Sequence, residues 1–85
     1  MPLFSVATVL TMGEFHAFKA GGREFVYLVP SAGVFGLDET ASAILSVVRE
    51  HPADRAQILS TLSPHYPVRD VADTIDELWR VRVLR

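Results

Sequence analysis

Residues 14–37, EFHAFKAGGREFVYLVPSAGVFGL, decide the fold, because alternating apolar residues and turn residues divide them into three successive strands. Phe15, Ala17 and Lys19 alternate with His16, Phe18 and Ala20, and Gly21-Gly22 then supplies the positive φ values of a tight hairpin. The return run Phe25-Val26-Tyr27-Leu28-Val29 is continuously apolar and aromatic, as expected of a strand with neighbours on both sides. Pro30-Ser31-Ala32-Gly33 breaks it with turn residues. Val34-Phe35-Gly36-Leu37 resumes extended structure, with Phe35 and Leu37 on one face and Val34 and Gly36 on the other. This third strand is short and is expected at the sheet edge.

Working outward, the chain after residue 37 reads as helical. Asp38 is a good N-cap and Glu39 suits the positive end of the helix dipole. The apolar face Ala41, Ile44, Leu45 and Val48 follows at helical spacing until His51-Pro52 stops it. Asp54 caps a second, shorter helix, expected to present Ala56, Leu59 and Leu62 to the core before Ser63-Pro64 ends it. A third helix starts near Pro67 and runs to about Arg80, with Val71, Ile75 and Leu78 inward. The tail 81–85 adds a short extended piece. On the other side, residues 1–13 form an N-terminal arm or an extra strand, since their apolar pattern fits neither period. The expected fold is α+β and winged helix-turn-helix-like, a three-stranded antiparallel sheet followed by three helices, with residues 14–85 as the main domain.

Composition limits what such a domain can do. In 85 residues, 49% apolar content suffices for one core, and a net charge of −2 gives no field that gathers polyanions. The absence of cysteine removes disulfides, thiolate metal sites and thiol nucleophiles, and fits a cytoplasmic location. The apolar stretch from Leu3 to Leu10 is less than half the ~20 residues of a membrane helix, so no membrane association is expected. His16, His51 and His65 are scattered, with no metal-ligand spacing. The glycines form neither GxGxxG nor GxxxxGK, and no serine stands in GxSxG. The residues therefore call for no catalytic group, no cofactor and no metal. Gly36, inside a strand, marks a close backbone approach, a bulge or simple packing tolerance.

The third helix decides between ligands. From Pro67 to Arg80 it carries Arg69 and Arg80 against Asp70, Asp73, Asp76 and Glu77, the wrong balance for facing phosphates, so nucleic acid is not the expected partner. At about 100° per residue, Val68, Ala72 and Trp79 form an apolar shoulder beside the core stripe. That shoulder either seals the core or walls a groove.

The run from Phe25 to Glu39, followed by Ala41-Ser42-Ala43-Ile44-Leu45, resembles the strand-turn-strand-helix signature of the PqqD-like family, the recognition elements for ribosomally made, modified peptides. Val71, Ile75, Leu78 and Leu84 fit the closing helix and tail of that family, and the likeness spans about 14–84. The segment from Tyr27 to Gly33, after Glu14-Phe15-His16-Ala17-Phe18, is similar to the domain that opens radical-SAM peptide maturases such as those of the quinohemoprotein amine dehydrogenase maturation family. One departure is Arg82, where a glycine often precedes the final hydrophobic pair. The resemblance implies that a precursor's leader segment pairs with Gly33, Val34, Phe35, Gly36 and Leu37 and rests beside the third helix, against Val68, Ala72 and Trp79. It also implies presentation to a modifying enzyme, a radical-SAM maturase, whose CxxxCxxC cluster motif this chain lacks. The domain is then free-standing or cut from a larger enzyme. The competing readings are a winged-helix DNA-binding domain using Lys19 and Arg23, and a dimerisation domain closing its own strand edge.

Overall fold

The Gly21-Gly22 pair forms the tight turn expected of it, with φ of 60° and 77°, and joins Phe15–Ala20 (β2) to Arg23–Leu28 (β3). A second connection leads to Gly33–Leu37 (β4), so the antiparallel sheet has the order β2-β3-β4 with β3 central. These features belong to a computed structural model, which describes residues 8–85. The part of the N-terminal arm at positions 1–7 lies outside the described residues. The positive φ of the second turn falls on Ala32, at 57°.

Register sorts the side chains. Val26 and Leu28 are buried, and Val26 stands opposite Ala17 on one side and Phe35 on the other. Phe25 and Tyr27 point the opposite way, opposite Phe18 and His16 in β2 and Gly36 and Val34 in β4. The sheet thus buries one face against the helices and turns a partly exposed aromatic face outward.

Glu39–Glu50 (α1) starts where Asp38 accepts from the Ala41 amide at 2.8 Å, and it buries Ala41, Ile44, Leu45 and Val48 as its spacing predicts. Arg55–Leu62 (α2) opens on a capping box in which Asp54 accepts from the Gln57 amide and the Gln57 side chain accepts from the Asp54 amide. Its inward face differs from the expected one. Ile58 and Leu62 are buried, Leu59 is half-buried and Ala56 is exposed. The i, i+4 pair of large aliphatics outweighs a stripe begun at a small alanine. Val68–Arg80 (α3) buries Val71, Ile75 and Leu78, and Pro67 is its N-cap.

The arm and the tail are part of the same core. Val9–Leu10 (β1) pairs with Ala53–Asp54 (β5) between α1 and α2, which places fully buried Leu10 among the helices. The tail turns back along the arm through a Met12–Leu84 bridge and reciprocal bonds between Thr11 and Arg85. It leaves α3 through a Schellman motif: the Val83 amide donates to the Leu78 carbonyl at 2.9 Å, and the Arg82 amide to that of Trp79 at 3.1 Å. The residue this motif holds in the left-handed region is Arg82, with φ of 68°.

Glycine suits that position best, which accounts physically for the departure noted in the sequence. Arg82→Gly is expected to stabilise the domain by about 0.5–1 kcal/mol, the left-handed strain of a side chain less the extra entropy glycine loses. Thermal unfolding checks this, and a lower Tm for the variant would show that the corner is not strained.

Candidate functional site

Among the described residues no strand pairs with the outer edge of β4. The Val29 amide donates to the Glu14 carbonyl, continuing the β2–β3 register, so alternate β3 residues Tyr27, Phe25 and Arg23 bond toward β2. Leu28, Val26 and Glu24 must then bond toward β4, to Gly33, Phe35 and Leu37. What remains is the N–H and C=O of Val34 and of Gly36, directed away from the sheet. Val34 is 61% exposed and Gly36 is exposed, whereas Gly33, Phe35 and Leu37 are half-buried.

Gly36 leaves space on the outer face. A Cβ there would meet only the Phe25 ring, at 3.7 Å, an ordinary contact. Packing within the domain therefore does not require glycine at this position. Beside it Phe25 stacks on Phe18, with centroids 5.5 Å apart and planes 19° from parallel.

On the inner side, a cavity of about 140 Å³ lies between β4 and α3, lined by Phe35, Gly36, Asp38, Ala41, Asp73, Thr74 and Glu77. The sequence placed the helical wall at Val68, Ala72 and Trp79, and none of these three lines this cavity. Trp79 stands about 140° around α3 from Thr74. The Ala72 carbonyl accepts from Arg55 of α2 at 3.5 Å, and the same guanidinium pairs with Asp76, so that flank faces α2. Val68 is 55% exposed, and half-buried Trp79 packs on the core cluster. Trp79 also borders a separate cavity of about 400 Å³ with Arg80, Arg82, Leu84 and Arg85. Of the eight candidate residues, the structure joins the five of β4 into one edge and sets the three of α3 elsewhere.

Other polar groups have local roles. The Tyr66 hydroxyl donates to Glu39 at 3.4 Å, tying the α2–α3 connection to the start of α1, and its pKa is raised, first by partial burial and then by the neighbouring carboxylate. His16, His51 and His65 are all exposed and far apart in the chain, and among the described residues no group of three or more His, Cys, Asp or Glu is placed to hold a metal ion. Among the described residues no helix is long and apolar enough to cross a membrane.

A family model described as coenzyme PQQ synthesis protein D (PqqD) matches residues 24–84, from β3 through the helices to the tail. The chain belongs to the PqqD family. The matched region contains β4, its free edge and the facing flank of α3, so the groove is built wholly from PqqD sequence. The hairpin strand β2 and the arm lie before it. Among curated proteins and among solved structures, none matches the chain.

Proposed function

We propose that this PqqD-family domain binds the leader segment of a ribosomally synthesised precursor peptide as an added strand on β4 and presents it to a modifying enzyme, a radical-SAM maturase. The observation that carries the reading is the outer β4 edge, unpaired among the described residues, beside a groove walled by α3. Two N–H and two C=O groups at Val34 and Gly36 offer four main-chain bonds, which at about 0.5–1.5 kcal/mol each supply about 2–6 kcal/mol. Apolar anchors against Phe35 and Leu37 add the remainder of the roughly 8 kcal/mol of a micromolar complex. Main-chain pairing explains recognition without catalysis. The role assigned to the chain is to hold and orient the substrate, with the chemistry supplied by the enzyme it serves.

The DNA-binding alternative gains nothing from the structure, because Asp73 and Glu77 are exposed on the α3 flank turned to the groove. Dimerisation through β4 would use the same edge, and light scattering with and without leader separates the two.

Val34→Pro tests the proposal directly. The amide it removes is directed away from β3, so no ladder bond is lost and the fold should tolerate proline at this edge. Leader affinity is expected to fall at least about tenfold, equivalent to about 1.4 kcal/mol, as measured by titration calorimetry with the cognate leader. Unchanged affinity, or cognate leader that leaves the amide shifts of Gly33 to Leu37 unmoved at saturation, would exclude strand addition here.

A further inference from the structure

Strand addition at β4, on which this inference rests, fixes where each side chain of the bound segment goes. Residues directly opposite one another in a sheet share a face. Positions opposite Val34 and Gly36 therefore join the outer aromatic face, and those opposite Gly33, Phe35 and Leu37 turn toward α3. Every second side chain of the segment enters the groove.

The groove is acidic. Its lining contains Asp38, Asp73 and Glu77 and no cationic residue. Asp38 is committed to capping α1. Glu77 lies 3.8 Å from Arg80, an exposed pair that is weakly held. Asp73 has no cationic partner among the described residues. Of the other two carboxylates of α3, Asp76 is already paired with Arg55 on the other flank and Asp70, in the first turn, does not line the groove, so the helix charge beside β4 is that of Asp73 and Glu77. The rest of the lining is Phe35, Ala41, the Gly36 backbone and Thr74, uncharged and apolar apart from the one hydroxyl.

We infer that the segment accepted at β4 carries lysine or arginine among the alternate side chains turned to α3, and that Asp73 and Glu77 set this preference. The aliphatic stem of such a residue lies along Phe35 and Ala41 while its charged head reaches the carboxylates, which suits long basic side chains better than any other type. An acidic residue at the same position meets like charge at close range. It is rejected on that ground rather than for lack of space.

Two synthetic nonapeptides test this, one alternating valine with lysine and the other valine with glutamate, each titrated into isotopically labelled domain. The lysine peptide should shift the amides of Gly33 to Leu37 and bind at least about tenfold tighter at low salt, with the gap narrowing as salt screens the charges. In the Asp73→Asn, Glu77→Gln double variant both peptides should still move those amides, with affinities within about threefold of each other once the groove charge is gone. Equal affinities in the wild-type protein, or a preference that survives the double substitution, would overturn the inference while β4 pairing stands. If neither peptide moves the β4 amides, strand addition fails and the inference falls with it.

Discussion

Leu78→Ala is expected to destabilise the domain by about 2–5 kcal/mol, the range for deleting a large buried aliphatic and leaving a cavity. Leu78 has no exposed surface and lies in one cluster with Ile75, Val71, Val26 and Val83. Its backbone also matters, since the Leu78 carbonyl accepts from both Val83 and Leu84 at the α3 terminus. For a chain of this size each kcal/mol moves Tm by about 4–8 °C, so a drop of roughly 10 °C or more is expected. The neighbouring Trp79→Ala removes a half-buried ring that lines no part of the β4 groove. Leader affinity measured on the folded fraction should then stay within about twofold of wild type, because neither residue lines the cavity beside β4. A clear loss of affinity in a folded Trp79→Ala protein would make the Val68, Ala72 and Trp79 flank a binding surface after all.

That contrast shows where sequence reasoning succeeds and where it stops. The β2–β3 turn was legible because two consecutive glycines have few other uses between alternating strands, and both are found at positive φ. The α1 face and the Asp38 and Asp54 caps were legible because each depends on local spacing alone. The β1–β5 pairing was not. Two residues per strand carry no periodicity, and the partners are separated by more than 40 positions. Which flank of α3 lines the β4 cavity was not legible for a different reason. A helical wheel locates two shoulders beside the core stripe but does not say which one packing turns toward the sheet. The shoulder with Val68 and Trp79 reads as a binding surface and the one with Asp73 and Glu77 as a solvated face. Tertiary packing sets the second beside β4, and Arg55 of α2 occupies the first. The left-handed corner at Arg82 was visible only as a missing glycine.

The position with no signal in the sequence is Gly13, where the arm runs beside the tail. Its amide donates to the Val83 carbonyl at 2.7 Å, and a Cβ built there would stand 2.2 Å from the Arg82 carbonyl oxygen and 3.0 Å from that of Val83. Both obstacles are backbone, so no side-chain rotation relieves them. Gly13→Ala must part the arm from the tail. Doing so strains or breaks the Gly13–Val83 bond and shifts Val83 and Leu84, which are 0% and 1% exposed. A cost of about 2–4 kcal/mol is expected, from overpacking of about 1–3 kcal/mol together with about 1 kcal/mol for the bond. Gly36→Ala is the matched control. Its Cβ meets only the Phe25 ring at ordinary contact distance, and replacing a strand glycine should leave stability unchanged or raise it slightly. Denaturant unfolding of the two variants measures the difference. If Gly13→Ala proves as stable as Gly36→Ala, the arm–tail contact does not hold the end of α3 in place. If it is the weaker by the expected margin, the ladder between arm and tail fixes the Arg82 corner, and through it the C-terminal end of the helix that walls the β4 groove.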